Sequence, residues 1–224
     1  MIIAQLKNIS KEYKQANENH PVLQEINVAI NEGEFVAICG PSGHGKSTLL
    51  SILALLEPAT SGEYLLAGTP VASLHRDQLA VLRGRHVGIV FQSFNLIGDM
   101  TVQENVQLPL KFASHIKSEE HEALVRHAIN SVGLAGKENF YPDMLSGGQQ
   151  QRVAIARAIV HKPDILFADE PTGNLDSTTG EDVMKLLEAL HKQGMTLCLV
   201  THDETIAEKA QRRLLIHDGH LKEI

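Results

Sequence analysis

Nine residues, Gly40-Pro41-Ser42-Gly43-His44-Gly45-Lys46-Ser47-Thr48, link an apolar run, Phe35 to Cys39, to a helix-forming run, Ser47 to Leu56. A buried strand that passes through glycines straight into a helix must wrap its loop inward. Its N–H groups then converge, and the first helical turn adds unpaired donors and the positive end of its dipole. Such a loop encloses phosphate oxygens. The spacing predicts that residues 40–48 cradle a nucleoside triphosphate, with Lys46 reaching the β- and γ-phosphates and Ser47 ligating Mg²⁺. Taken alone, the loop is compatible with a kinase, a GTPase or an ATPase.

The chain has 224 residues, enough for one substantial core with a small inserted subdomain but not for two large domains. Its formal charge of −7, without a basic block, argues against a broad nucleic-acid surface, so no nucleic acid is expected as a partner. No stretch reaches the length of a membrane span, and Met1 to Ile9 lacks the apolar region of a signal peptide. The expected location is therefore cytoplasmic, with any membrane association made through a partner. Cys39 and Cys198 lie in apolar runs and read as buried core thiols. The twelve histidines form no HExxH or comparable pattern, and their scatter predicts no structural metal site.

Strands are expected at Ile2–Leu6, Ile26–Ile30, Phe35–Cys39, Gly62–Leu66, Val87–Phe91, Ile165–Ala168 and Thr196–Val200. A final pair, Arg213–Ile216 and Leu221–Ile224, flanks an Asp218-Gly219 turn and finishes the sheet without an added tail. Between Ser93 and Tyr141 the character becomes helical. Ser118 to Val132 reads as one amphipathic helix, capped by Ser118, with Leu124, Val125, Ala128, Ile129 and Val132 on its apolar side and Gly133 ending it. A further helix runs from Gln150 to Val160 after Leu145-Ser146-Gly147-Gly148-Gln149. No internal repeat or low-complexity linker interrupts the chain.

Three later features narrow the chemistry. Gln92 ends a core strand, where its amide can sense a phosphate or a metal. Asp169-Glu170 follows another strand, placing one carboxylate to hold Mg²⁺ and the other to polarise an attacking water. His202 opens the loop after the 196–200 strand.

With these features in this order, and with LSGGQ at 145–149 followed by Gln150-Gln151-Arg152, the chain resembles the nucleotide-binding subunit of ABC transporters over essentially its whole length. The resemblance implies an α/β fold: a P-loop NTPase core with a mixed sheet, an antiparallel β region and an inserted α-helical subdomain. It treats residues 1–224 as a single nucleotide-binding domain with the helical subdomain at approximately 93–144. The implied cofactors are ATP and Mg²⁺. Tyr13 would stack on adenine, and Ser47, Gln92 and Asp169 would hold the metal. Glu170, His202, Lys46, Gln92 and Ser146 would act at the γ-phosphate. Ser146, Gly147, Gly148 and Gln149 would reach the nucleotide from the opposite subunit, so that a second copy of the chain closes over ATP head to tail. Asn174-Leu175-Asp176 matches the family's loop at that boundary. His44 departs from the small Ser, Cys or Ala common at its position; its backbone N–H still serves the cradle, and its ring is expected to face solvent as a neutral group.

Pro109 within Thr101–Leu110, preceded by Phe91–Ile97, resembles the subgroup that includes the MacB, LolD and FtsE ATPases. That implies a separate membrane permease, with a large extracytoplasmic domain, as partner in export, lipoprotein release or envelope mechanotransmission. The chain would then sit peripherally on the cytoplasmic face of the inner or plasma membrane. Residues around Phe94 to Val102 are the expected contacts. ABC ATPases of ribosome or DNA-repair assemblies are the alternative, and the duplicated cassettes or long coiled-coil insertion that would favour them are absent from this sequence. A small-molecule kinase leaves residues 145–149 and His202 without a role.

Overall fold

The computed structural model describes residues 1–15 and 18–224. Three apolar runs form adjacent parallel strands: β3 (Phe35–Cys39), β7 (Ile165–Asp169) and β8 (Thr196–Val200). With β6 (Val87–Val90), β9 (Arg212–His217) and β10 (His220–Glu223) they make a six-stranded sheet in the order β10-β9-β3-β8-β7-β6, in which only β10 runs antiparallel. These runs are continuous rather than alternating because both faces of the sheet are covered. Phe35, Ala37, Leu166, Ala168, Leu197 and Leu199 face one core, and Val36, Ile38, Ile165, Phe167, Cys198 and Val200 face the other.

The first core lies under helices α3 (Val102–Gln107), α4 (His121–Ser131), α5 (Gly147–Ile159) and α6 (Ser177–Lys192). The second holds α1 (Lys46–Leu53), which buries Leu49, Leu50, Ile52 and Leu53. Over it lies an antiparallel sheet in the order β2-β1-β4-β5, built from β1 (Ile2–Gln15), β2 (Glu18–Asn31), β4 (Ser61–Leu66) and β5 (Thr69–Pro70). Tyr64 joins the two layers: its hydroxyl donates to Leu53 O at 2.6 Å inside the core. Helices α2 (Arg76–His86) and α7 (Glu204–Ala207) complete the elements used below.

Several local expectations are corrected. The strands expected at 2–6 and 26–30 are fourteen residues each, because β1 and β2 continue as a bulged ribbon whose outer parts alternate weakly in polarity. α2 carries no fully buried residue; only Leu79 and Leu82 pack, partly buried, against the core, which leaves it a narrow apolar side. The single helix from Ser118 is a 3₁₀ turn, Ser118–Glu120, followed by α4, and the Ser118 side chain caps nothing. α1 is shorter than read: it starts at Lys46 and ends at Leu53, with Leu55 at φ 57° just beyond it. Cys39 is half-buried at the end of β3; Cys198 is fully buried, which pushes its thiol up to about 12.

The turns that precede α5 and α6 explain where those helices begin. Ser146 Oγ accepts from Gln149 N at 3.4 Å while Gln149 Oε1 accepts from Ser146 N at 3.1 Å, a reciprocal cap that starts α5 earlier than the expected Gln150. Asp176 caps α6 by accepting from Thr179 N at 3.0 Å. Among the described residues, no helix is long and apolar enough to cross a membrane.

Candidate nucleotide site

Because β3, β6, β7 and β8 are parallel neighbours, their C-terminal ends share one edge of the sheet, where α/β folds place ligands. The phosphate loop leaves β3 there, Gln92 follows β6, Asp169-Glu170 ends β7 and His202 follows β8. A cleft of about 390 Å³ is bounded by Tyr13, Val22, Ser42, Gly43, Lys46, Ser47, Thr48 and Glu170.

The loop geometry depends on glycine at two positions. Gly40 has φ 144°, and a Cβ there would lie 2.2 Å from Ile216 O; Gly45, at φ 100°, would place one 2.9 Å from Val22 O. Both positions need backbone too close to its neighbours for any side chain. Lys46 is 5 % exposed, and its ammonium donates to Gly40 O and Pro41 O, each at 2.8 Å. Its charge is therefore held inside the loop, against the carbonyls of Gly40 and Pro41.

Ser47 Oγ donates to Asp169 Oδ1 at 3.4 Å across 122 residues of sequence. Burial raises the Asp169 carboxyl above its ordinary range, and Glu170 adds to this; Ser47 and Lys46 act in the opposite direction. A desolvated carboxylate beside a hydroxyl is a hard oxygen pair that fits Mg²⁺, whose charge would relieve the burial penalty.

Glu170 has φ 43°, a costly conformation for a residue with a Cβ. Its N–H donates to Val200 O at 2.9 Å and its carbonyl accepts from Gly173 N at 3.0 Å, so both neighbours hold it there. The Nδ1–H of His202 donates to Glu170 Oε1 at 3.0 Å. Gln92 points elsewhere: its Nε2 donates to Asn174 Oδ1 at 3.2 Å, and Asn174 Nδ2 returns a bond to Gln92 O at 3.0 Å. It does not line the cleft, and it is fastened to the loop that contains Asn174-Leu175-Asp176.

Tyr13 is positioned by a network that the sequence reading missed. Its hydroxyl donates to Glu57 Oε2 at 2.7 Å, Lys11 pairs with Glu57 at 2.8 Å, and the Lys11 ammonium lies 5.0 Å from the Tyr13 ring centroid. Burial raises the Glu57 carboxyl, but the bonds from Lys11 and Tyr13 outweigh it and hold Glu57 below its usual range. Lys11 and Glu57 are ordinary surface residue types in sequence, so only their proximity reveals them.

Ser146, Gly147, Gly148 and Gln149 do not line the cleft. Gly147 packs beside Leu175, and Gly148 leaves no room for a side chain because Thr179 Cγ2 would be 2.2 Å from a Cβ. Nor does the His44 ring face solvent as expected. Its Nδ1 accepts from Asp218 N at 3.0 Å, and its ring centroid lies 4.9 Å from that of His217.

The family pattern described as ABC transporter matches residues 23–173. The chain is 45 % identical over 222 residues to the macrolide export ATP-binding/permease protein MacB of Psychrobacter cryohalolentis, covering 98 % of this chain and 33 % of that protein. It thus spans about a third of the length of that relative. It is 44 % identical over 216 residues to the uncharacterized ABC transporter ATP-binding protein YvrO of Bacillus subtilis, covering 96 % of this chain and 94 % of YvrO. The solved dimeric structure of MJ0796, a bacterial ABC transporter cassette, superposes with a TM-score of 0.89 at 43 % identity, covering 99 % of this chain and 97 % of that one. A dimeric post-hydrolysis state of the same cassette, bound to ADP and Pi, matches with a TM-score of 0.89 at 42 % identity. With the phosphate loop, the acidic strand end and the capped glycine-rich helix all in place, the chain belongs to the ABC transporter family, as an ATP-binding, ATP-hydrolysing cassette of the MacB/YvrO-like subgroup.

Proposed function

We propose that two copies of this chain close head to tail over two Mg·ATP molecules and that closure and reopening drive a separate membrane permease in export, lipoprotein release or envelope mechanotransmission. The observation that carries the reading is the division of the site: the cleft is bounded by residues 42–48 and Glu170, while the Ser146–Gln149 helix terminus lies outside it. Ser146 Oγ accepts from its own helix and keeps its hydroxyl proton free to donate, and the adjoining N–H groups point outward from a helix N-terminus. A second copy supplies this missing anion-binding element. The dimeric structure of MJ0796 supports an assembly of two copies.

In this reading Lys46 and the loop amides hold the phosphates and Tyr13 stacks on the base. Ser47 and Asp169 would hold Mg²⁺, together with Gln92 if its bonds to Asn174 open, and the ion would supply positive charge at the phosphates. Glu170 orients the attacking water, and His202 keeps that carboxylate aligned while reaching the γ-phosphate. Exclusion of water on closure strengthens these contacts.

The helical segment at approximately 93–144 serves as the subdomain that meets the permease. A cleft of about 500 Å³ is bounded by Phe91, Asn95, Leu108, Pro109, Phe112 and Arg157, with Phe112 67 % exposed. Arg157 donates to Phe94 O at 2.8 Å and Asn95 O at 2.6 Å, holding this rim. Of the contacts expected between Phe94 and Val102, Val102 is corrected: it is 1 % exposed and packs inside the core, because it begins α3 on its buried side. A permease helix seated in the cleft would place the chain peripherally at the membrane.

Affinity purification of the Glu170→Gln form with Mg·ATP from solubilised membranes tests the reading. Recovery as a dimer with a permease carrying a large extracytoplasmic domain supports it. Recovery with soluble ribosomal or DNA-repair components alone overturns the permease coupling and leaves the ATPase.

A further inference from the structure

We propose that His44, His217 and Asp218 form a binding site for a borderline transition-metal dication, of which Zn²⁺ is the representative. No spacing in the sequence announces it: the phosphate loop and the β9–β10 turn are 174 residues apart. The fold brings one ligand atom from each residue within 4.8 Å of the others. Asp218 Oδ1 is 3.1 Å from His44 Nδ1, and Asp218 Oδ2 is 3.3 Å from His217 Nδ1. A tetrahedral ion with metal–ligand distances near those of zinc sets its ligands about 3.3 Å apart. The two separations lie near that spacing but end on different carboxylate oxygens, so a small turn of the Asp218 carboxylate or of His217, whose side chain is 62 % exposed, brings the three ligands onto one ion.

Protonation supplies the second argument. The backbone N–H of Asp218 can only donate, so His44 Nδ1, which accepts it at 3.0 Å, carries a lone pair. The ring is then the neutral tautomer with its proton on Nε2. Asp218 Oδ1 lies 3.1 Å from the same nitrogen, so two electron-pair donors sit side by side where a cation completes the charge balance. An imidazolium protonated at Nδ1 cannot make the observed bond with Asp218 N. A metal would take over the lone pair from that N–H.

The donor set is also prearranged. Asp218 and Gly219, at φ 47° and 76°, form the two-residue Asp-Gly turn of the β9–β10 hairpin. β2 fastens this turn, with Gln24 N donating to Gly219 O at 2.8 Å. His44 lies between two of the glycines of the phosphate loop. His44 and Asp218 border a cleft of about 410 Å³, also lined by Val22, Ser42 and Gly43, which gives an ion access and room for a water as fourth ligand. Two imidazoles and one carboxylate suit Zn²⁺ over Mg²⁺, which prefers an all-oxygen octahedron.

The test is Zn²⁺ titration by calorimetry of nucleotide-free protein in excess Mg²⁺, which occupies the Ser47–Asp169 oxygens. One Zn²⁺ per chain is expected, with affinity falling roughly tenfold or more in each of His217→Ala and His44→Ser. Co²⁺ in place of Zn²⁺ should give the visible absorption of a four-coordinate ion in wild type and lose it in His217→Ala. His217→Ala should keep wild-type Mg·ATP affinity and melting temperature, which separates loss of a ligand from loss of the fold. Absence of saturable binding, or unchanged Zn²⁺ affinity in either variant, overturns the proposal.

Discussion

The Nδ1–H of His202 donates to Glu170 Oε1 at 3.0 Å, joining the ends of β8 and β7. The residues are separated by 32 positions, and the whole of α6 lies between them. Glu170 is additionally held in a left-handed conformation by backbone bonds to Val200 and Gly173, so its carboxylate is positioned before any ligand arrives. Replacing Glu170 with Gln keeps the size and removes the charge that the proposed cycle uses to polarise water. Turnover is expected to fall ~10²- to 10⁴-fold with Mg·ATP affinity retained. Steady-state phosphate release and equilibrium nucleotide binding, measured on the same preparation, check it; undiminished release would remove Glu170 from that role.

Lys46 donates to two loop carbonyls, and in the proposed cycle it exchanges them for phosphate oxygens, a gain that depends on its charge. A charge-assisted hydrogen bond is worth about 1.5–3 kcal/mol, so Lys46→Ala should weaken ATP binding ~10- to 100-fold. Fluorescent-nucleotide titration reads this directly. Equal affinity in both proteins would show that the loop amides alone determine binding.

Asp169 makes a pH prediction whose sign follows from its raised carboxyl. Burial favours the protonated form in the fold, so the group's contribution to stability is greatest in acid and is lost as pH rises through the raised value. At neutral pH, without Mg²⁺, the ionised group therefore costs stability. Asp169→Asn should melt above wild type at neutral pH, with the gap narrowing as the solution is acidified, while Mg-dependent turnover is lost. A gap that widens in acid would contradict the assignment of burial as the dominant cause.

Asn105 is fully buried, and it organises the segment before α3. Its Nδ2 donates to Ile97 O at 3.0 Å, Met100 O at 3.0 Å and Thr101 O at 3.1 Å, and its Oδ1 accepts from Ile97 N at 2.9 Å. Asn105→Ala takes the partner from Ile97 N and Met100 O, while Ile97 O still accepts from Met100 N and Thr101 O from the backbone N–H of residue 105, and it should destabilise the protein by about 2–3 kcal/mol. Urea unfolding measures the loss. If the segment rim meets a permease, partner recovery should fall more than ATP affinity; equal effects would assign Asn105 to general stability alone.

What the sequence determined by itself was local. A strand, a glycine-bearing loop and a helix follow one another at residues 35–53, so the phosphate cradle was legible from neighbours in the chain, whereas the equally local Ser146–Gln149 cap went unread and the helix was expected only from Gln150. The continuous apolar runs that became β3, β7 and β8 also announced themselves, because a strand buried on both faces has no polar positions. The tertiary structure decided which of those strands are neighbours, and with that the convergence of Ser47 with Asp169, of Glu170 with His202 and of Gln92 with Asn174. It also decided that Lys11 and Glu57 set Tyr13 and that His44 meets Asp218. The physical reason is range: turn and capping geometry is governed by residues a few positions apart, whereas strand order and side-chain encounters come from how whole layers bury their apolar faces.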